Sequence, residues 1–204
     1  MYAENVYVIF AGGDDFFLLG AWDAVFAFAQ LVQKEFSRFT QNHKEITLSA
    51  SLVVVDAKFP VIQFAKLAEQ GLKAAKKVKG KNRVSLMNQV FTWEEFGNIE
   101  GIALKLQRII IEKREPRGIL DKVRLSVKGF LGIQRKLADN QLNTPKVWRL
   151  LWYLRGSKNK PEMESLFQEH YIKPLLKAFV SKQISNAMLF PVAARWAEFL
   201  TRKK

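Results

Sequence analysis

Along the 204 residues the hydrophobic pattern changes period several times before settling into one. Val6 to Phe10 is a short, continuous apolar run rich in strand formers, and Phe16 to Leu19 is a second, with Gly12 and Gly13 between them. That pattern predicts two buried strands joined by a tight glycine turn, their apolar flanks holding the turn rigidly at a sheet edge. From Trp22 to Phe39 the apolar residues fall at Trp22, Val25, Phe26, Ala29, Val32, Phe36 and Phe39, the spacing of an amphipathic helix with one buried stripe. Ile46 to Val55 reads as another strand, ended by Lys58, Phe59 and Pro60, and Pro60 stands where it can start a helix running to about Lys77. Gly80, Lys81 and Asn82 then turn into a further strand, Arg83 to Met87.

The pattern shifts after that strand. Thr92, Trp93, Glu94 and Glu95 match a capping box, in which the Thr92 hydroxyl accepts from an early helix amide while Glu95 reaches back. Helical periodicity dominates from there to the end, with breaks near Pro116 to Gly118, Asn143 to Pro145, Gly156 to Pro161 and Gln183 to Ser185, giving four or five helices. The expected division is an α/β unit over residues 1–91 and an all-α unit over residues 92–204.

Charge follows the same division. Residues 1–92 carry 11 Lys and Arg against 8 Asp and Glu, a net of +3; residues 93–204 carry 22 against 11, a net of +11. A basic excess of this size favours association with a polyanion, nucleic acid first and an acidic protein surface second, against the plainer reading of a solvated basic face. The absence of cysteine removes disulfides, thiolate chemistry and cysteine-ligated zinc, and His43 and His170 are too far apart to form a local metal motif. Any metal must be held by oxygen. Asp14, Asp15 and Asp23 interrupt the most apolar region, so no membrane span is expected. Met1 is followed by Glu4 and a strand pattern, not by a charged-then-apolar leader, which makes cytoplasm the expected compartment.

The chemistry concentrates at the glycine turn. Gly12 and Gly13 permit a turn that side chains would block and let a phosphate approach the main chain, while Asp14 and Asp15 put two carboxylates at the tip. Magnesium takes oxygen ligands and combines one or two carboxylates with substrate phosphates, so the tip suits a metal–nucleotide complex. The same four letters also occur on ordinary surface hairpins. Lys76 and Lys81, at a helix end and in the glycine turn after it, are candidate phosphate contacts, or else solvated lysines favoured by the helix dipole. In the helical half, Trp148, Leu151, Trp152 and Arg155 have the spacing of core packing, and Lys122, Arg124, Lys128, Arg135 and Lys136 suit either RNA phosphate or an acidic neighbour.

Together, Tyr7 to Asp23, the strand around Ser49 and Ala50, Lys58-Phe59-Pro60, and Ala75-Lys76 through Gly80-Lys81-Asn82 resemble the second palm domain of the large subunit of type III CRISPR effector complexes, and the resemblance extends into the helical tail. It implies an α+β fold: a partial ferredoxin-like palm of the polymerase and nucleotide cyclase type, lacking its first strand and helix, followed by an all-α helical domain. It further implies that the palm pair converts ATP to cyclic oligoadenylate, with Mg2+ or Mn2+, when the complex binds target RNA. On that resemblance Gly12 and Gly13 approach the triphosphate, Asp14 and Asp15 bind the metals, Ser49 lies near the adenine and Lys76 contacts phosphate. Ser51 stands where the family runs Ser-Ala-Gly, which is expected to narrow the space beside the base. The implied partners are the remainder of the large subunit with its other palm, the small and backbone subunits, guide RNA and target RNA.

The family's palm opens with a strand carrying an acidic metal ligand, then a long helix, then the hairpin, whereas this sequence opens at the hairpin. The expectation is a fragment, or one part of a split subunit whose partner chain supplies that strand, inactive alone and with an aggregation-prone sheet edge. Two alternatives stand beside it: a non-catalytic scaffold or RNA-binding part of the same complex, and a GTP-using relative of diguanylate cyclases. The second is disfavoured by Asp15, where that family carries glutamate before a shared phenylalanine, and by the helical tail, which that family lacks.

Overall fold

The computed structural model describes residues 5–126, 147–157, 159–181 and 188–202. Lys128, Arg135 and Lys136, and the helix breaks expected at residues 143–145 and 183–185, lie outside them. The chain divides into two compact units, residues 1–97 and 98–204.

The first unit opens with β1 (Val6–Gly12) and β2 (Asp15–Gly20), an antiparallel pair from Val6 opposite Gly20 to Gly12 opposite Asp15. The register shifts between Val8 and Phe10, where β1 advances two residues against one of β2, a bulge that redirects the side chains nearest the turn. At its open end the Ala21 amide donates to the Asn5 carbonyl at 3.0 Å. Helix α1 (Trp22–Phe39) follows with Ala24 and Phe26 buried, while Phe39, expected on the buried stripe, is 87% exposed. Strand β3 is only Ala50–Leu52, much shorter than the expected Ile46 to Val55, because its ladder has a single partner; Ile46 and Val53 are exposed. Helix α2 (Val61–Lys77), with Pro60 as its N-cap, carries the chain across to β4 (Arg83–Leu86), which pairs parallel to β3. A strand missing from the sequence-based expectation, β5 (Gln89–Thr92), then pairs antiparallel to β4, so the second sheet has the order β3-β4-β5.

The expected burial of the hairpin's flanks is not what the structure shows. The pair β1-β2 is a sheet of its own, and Tyr7, Val8, Ile9, Phe10, Phe16 and Leu19 are all exposed. No described strand extends it, so the apolar composition that predicted a buried strand is left without a covering layer. The hairpin is anchored from β2, where the Phe17 ring lies 5.9 Å from the ring of buried Phe64 on α2. A chain of edge-to-face rings continues the core: Trp22 to Phe26, Phe26 to Phe96 and Phe96 to Trp93, at 5.7, 6.1 and 6.1 Å. The Trp93 indole N–H donates to the Leu48 carbonyl at 3.0 Å, fastening the start of α3 to the segment before β3.

Helix α3 (Trp93–Ile111) begins with the capping box read from the sequence: the Glu95 amide donates to the Thr92 hydroxyl at 3.0 Å and the Thr92 amide to the Glu95 carboxylate at 2.7 Å. The second unit continues with α4 (Gly118–Ser126), α5 (Val147–Leu154), α6 (Lys160–Phe167), a π-helical turn (Gln168–Ile172), α7 (Lys173–Ser181) and α8 (Leu189–Leu200). No strand occurs among its described residues. Its aromatic centre is Phe167, Tyr171 and Phe190, all fully buried, with Phe167 and Tyr171 at 4.7 and 5.6 Å from Phe190. The π turn stands directly before Pro174, whose missing amide would interrupt a regular α-helical ladder there. On the surface Glu162 accepts from Lys113 and lies 3.6 Å from Arg108, tying α6 to the end of α3. No helix among the described residues is long and apolar enough to cross a membrane.

Helix α5 corrects the core assignment of Leu151 and Trp152. Leu150 and Leu154 are buried, whereas Leu151 and Trp152 are exposed, Trp152 by 62%. The segment is apolar almost all round, so periodicity alone could not say which stripe faces inward.

Candidate active site at the hairpin tip

Two residues, Gly13 and Asp14, form the loop between Gly12 and its partner Asp15. Gly13 has φ +62° while the φ of Asp14 is negative, the sign pattern of a type II′ turn, which matches the twist of the flanking strands and favours glycine at its first position. Nothing lies within 4 Å of where a Cβ on Gly13 would stand, so that face of the tip is open to a ligand. On Gly12 a Cβ would meet the Phe10 ring at 3.0 Å. Phe10 is thus an exposed aromatic beside the tip, where its place in an apolar run predicts a buried strand residue; the bulge at Val8 to Phe10 is invisible in that run.

Asp14 and Asp15 are both exposed, and Lys76, in the last turn of α2, places its Nζ 3.6 Å from Asp15 Oδ1. Two residues 61 positions apart, singled out separately as metal ligand and phosphate contact, are brought together. Ala75 beside Lys76 is fully buried, which fixes the helix end that carries the lysine.

Lys81 lies in the turn after α2. Gly80, Lys81 and Asn82 all have positive φ, at +84°, +46° and +49°, so the turn is left-handed for three residues, a conformation costing a side-chain-bearing residue about 1–2 kcal/mol. The Lys81 amide donates to the Val78 carbonyl at 2.9 Å. Among the described residues Lys81 is not brought to either hairpin carboxylate; Lys76 is. Ser49 reaches this same turn, its hydroxyl accepting a long, 3.5 Å hydrogen bond from the Arg83 amide.

Ser51 does not narrow an open face of β3, contrary to expectation. Its hydroxyl oxygen is buried and stands against Gly71 of α2, which the Ser85 hydroxyl also approaches. The bare Cα of Gly71 makes the room that a serine in β3 requires.

A metal bound here would find a pair of adjacent carboxylates and an open backbone turn, donors suited to a hard divalent cation that also takes water and phosphate oxygens. Among the described residues no cluster of three or more His, Cys, Asp or Glu side chains could hold a metal ion, so the two carboxylates are a partial ligand set. In the helical unit, Arg124 bonds Asp121 of its own helix at 2.9 Å and Lys122 also has a partner.

A family model for the second palm domain of Cas10/Cmr2 matches residues 1–85, which contain the hairpin, α1, β3, α2 and all but the last residue of β4. Those residues belong to the Cas10/Cmr2 second-palm family. The chain is also similar to three curated relatives, each described as a CRISPR system single-strand-specific deoxyribonuclease Cas10/Csm1 of subtype III-A. The protein from Methanocaldococcus jannaschii is 33% identical over 104 residues, 46% of this chain and 13% of the relative. That from Mycobacterium tuberculosis is 38% identical over 90 residues, 43% of this chain and 11% of the relative. The Enterococcus italicus protein is 32% identical over 169 residues, 80% of this chain and 20% of the relative, so the likeness continues past the palm into the helical unit. The chain spans a fifth or less of each of these relatives. The fold is accordingly α+β, a partial palm followed by a helical region.

Proposed function

We propose that this chain is the catalytic palm portion of a type III CRISPR effector large subunit, and that the tip Gly12–Asp15 with Lys76 binds a metal–ATP complex for conversion to cyclic oligoadenylate when the assembled complex holds target RNA. The observation that carries this reading is the 3.6 Å approach of Lys76 to Asp15 beside the open face of Gly13. It joins a cation suited to phosphate and a carboxylate suited to a metal at one point.

In this reading Asp14 and Asp15 would hold Mg2+ or Mn2+, which supplies charge neutralisation on the phosphates. The backbone at Gly12 and Gly13 admits the triphosphate, and Lys76 and Lys81 offer it positive charge. The ribose hydroxyl of one ATP bonds to the α-phosphorus of the next; the bond to the pyrophosphate breaks, pyrophosphate leaves with its electron pair, and the hydroxyl proton passes to water. Ser49 is assigned to the adenine side. The remaining acidic ligand and a cover for the exposed apolar strand β1 are assigned to the rest of the large subunit. Small and backbone subunits, guide RNA and target RNA complete the partners, residues 92–204 supply the basic helical part that meets them, and the compartment is the cytoplasm. The deoxyribonuclease in the relatives' description belongs to proteins at least five times the matched length and is not transferred.

An architectural reading has one observation in its favour, the partial ligand set. One assay separates it from catalysis and from GTP chemistry. The chain is assembled with its partner subunits, guide and target RNA, and supplied with ATP or GTP and Mg2+. Oligoadenylate from ATP that vanishes in Asp14→Ala plus Asp15→Ala supports the proposal. Undiminished product in that variant, or product only from GTP, overturns it.

A further inference from the structure

The pairing of Lys76 with Asp15 has a consequence that neither residue has separately. Lys76 stands on α2 and Asp15 at the first position of β2, so the contact joins two elements and is not a local helix pair. Their side chains are 45% and 61% exposed, leaving both free to change partners. An ammonium 3.6 Å from a carboxylate oxygen occupies part of the space and cancels part of the charge that a divalent cation would use. Asp15 thus meets a free metal ion with part of its charge already offset. A triphosphate entering at the open face of Gly13 changes the balance, because it gives Lys76 a stronger, multiply charged partner and releases Asp15.

We infer that Lys76 is an exchangeable counter-ion which makes this site select the metal–triphosphate complex over the free metal: the lysine guards Asp15 until phosphate draws it away. The inference rests on the metal–nucleotide reading above. Thermodynamically it is a coupling between two ligands, so triphosphate raises metal affinity and metal raises triphosphate affinity by one common factor. Bridging of metal to phosphate supplies some of that coupling in any nucleotide site. The part assigned to Lys76 is the part that disappears with its charge.

The test uses Mn2+ as the probe, followed by electron paramagnetic resonance in the assembled complex without activating RNA, with and without a non-hydrolysable ATP analogue. In Lys76→Gln, free Mn2+ binds about two- to fivefold more tightly than in wild type, the range expected for one exposed charge pair. The analogue alone binds more weakly, and the factor by which it enhances Mn2+ binding shrinks. Lys76→Arg, which keeps the charge, restores the wild-type order of affinities. A contribution to phosphate binding alone would leave free Mn2+ affinity where it was, and that result overturns the inference while the metal–nucleotide reading stands. Weaker Mn2+ binding in Lys76→Gln overturns it equally. Wild-type protein that binds no Mn2+ even with the analogue present brings down both.

Discussion

The hydroxyl of Ser51 on β3 faces the bare Cα of Gly71 on α2, so closely that a Cβ on Gly71 would overlap the hydroxyl oxygen, lie 2.9 Å from Ser85 Oγ and 3.2 Å from Ser51 Cβ. The two residues are a matched pair across the helix–sheet interface. In an unconstrained helix Gly→Ala stabilises by about 1 kcal/mol. Here overpacking costs about 1–3 kcal/mol, so Gly71→Ala is neutral at best and a loss of up to about 2 kcal/mol. Ser51→Gly removes the closest obstruction, and with only the Ser85 hydroxyl left to turn aside, Gly71→Ala becomes neutral or favourable in that background. Chemical denaturation of the four members of this double-mutant cycle reads the sign change, and additive effects would show that the contact is not what holds the two elements at this spacing.

The turn between β4 and β5 stores strain of a different kind. Met87 and Asn88 both have positive φ, +50° and +63°, the pattern of a type I′ turn, which favours Asn-Gly. A methionine is ill suited to that conformation. Replacing the pair by Met87→Asn with Asn88→Gly should stabilise the first unit by about 1 kcal/mol, since each left-handed residue with a side chain carries a cost of that order. The denaturation midpoint should rise with no change in slope; an unchanged midpoint would count against the turn assignment.

These two sites also show what the sequence could and could not convey. The capping box at Thr92 and Glu95 and the turn at Gly12 and Gly13 were legible because each is specified by neighbouring residues. Strand β5 was not, since Met87-Asn88 lacks the glycine that announces a tight hairpin. The face of Ser51 was hidden for another reason: it depends on Gly71, twenty positions away, and no local pattern links them. Lys76 and Asp15 were each picked out by residue type, yet their approach to 3.6 Å is a product of tertiary structure. The exposure of β1 misled in the opposite direction, because an apolar run reports what a strand would bury and not whether a covering layer is present in the same chain.

Tyr171 makes the second unit sensitive to alkali. It is fully buried, and its phenol shares a 3.0 Å hydrogen bond with Ser126 Oγ. Burial pushes its pKa up to about 12, partly offset by that hydrogen bond. Below pH 10 the phenol is protonated in both folded and unfolded chains, and the buried residue costs nothing extra. Between about pH 10 and 12 the unfolded chain releases the proton while the folded chain retains it, so stability falls with pH, by about 2–3 kcal/mol in total. Tyr171→Phe should cost about 1 kcal/mol at neutral pH, because Ser126 keeps its bond to the Val123 carbonyl at 2.6 Å. The variant should then lose less stability than wild type above pH 10. Parallel curves for the two proteins across that range would overturn the assignment.

At the hairpin tip, backbone conformation and space make opposite demands, which allows them to be tested apart. Gly13 has ample room for a side chain but a φ of +62°, whereas Gly12 lacks room because the Phe10 ring stands against it. Gly13→Ala should therefore loosen the turn by about 1 kcal/mol through backbone strain alone. Asparagine tolerates the left-handed region, so Gly13→Asn should loosen it less. Gly12→Ala presses on a ring that can move, and its effect should be relieved by Phe10→Leu, while Gly13→Ala should be indifferent to that change. Since β1 and β2 form a two-stranded sheet of their own, the effect is best read by amide hydrogen exchange in the strands, which senses local opening that a global unfolding midpoint would miss. Equal protection in Gly13→Ala and wild type would show that the tip tolerates another turn, and with it that the placement of Asp14 and Asp15 does not depend on this glycine.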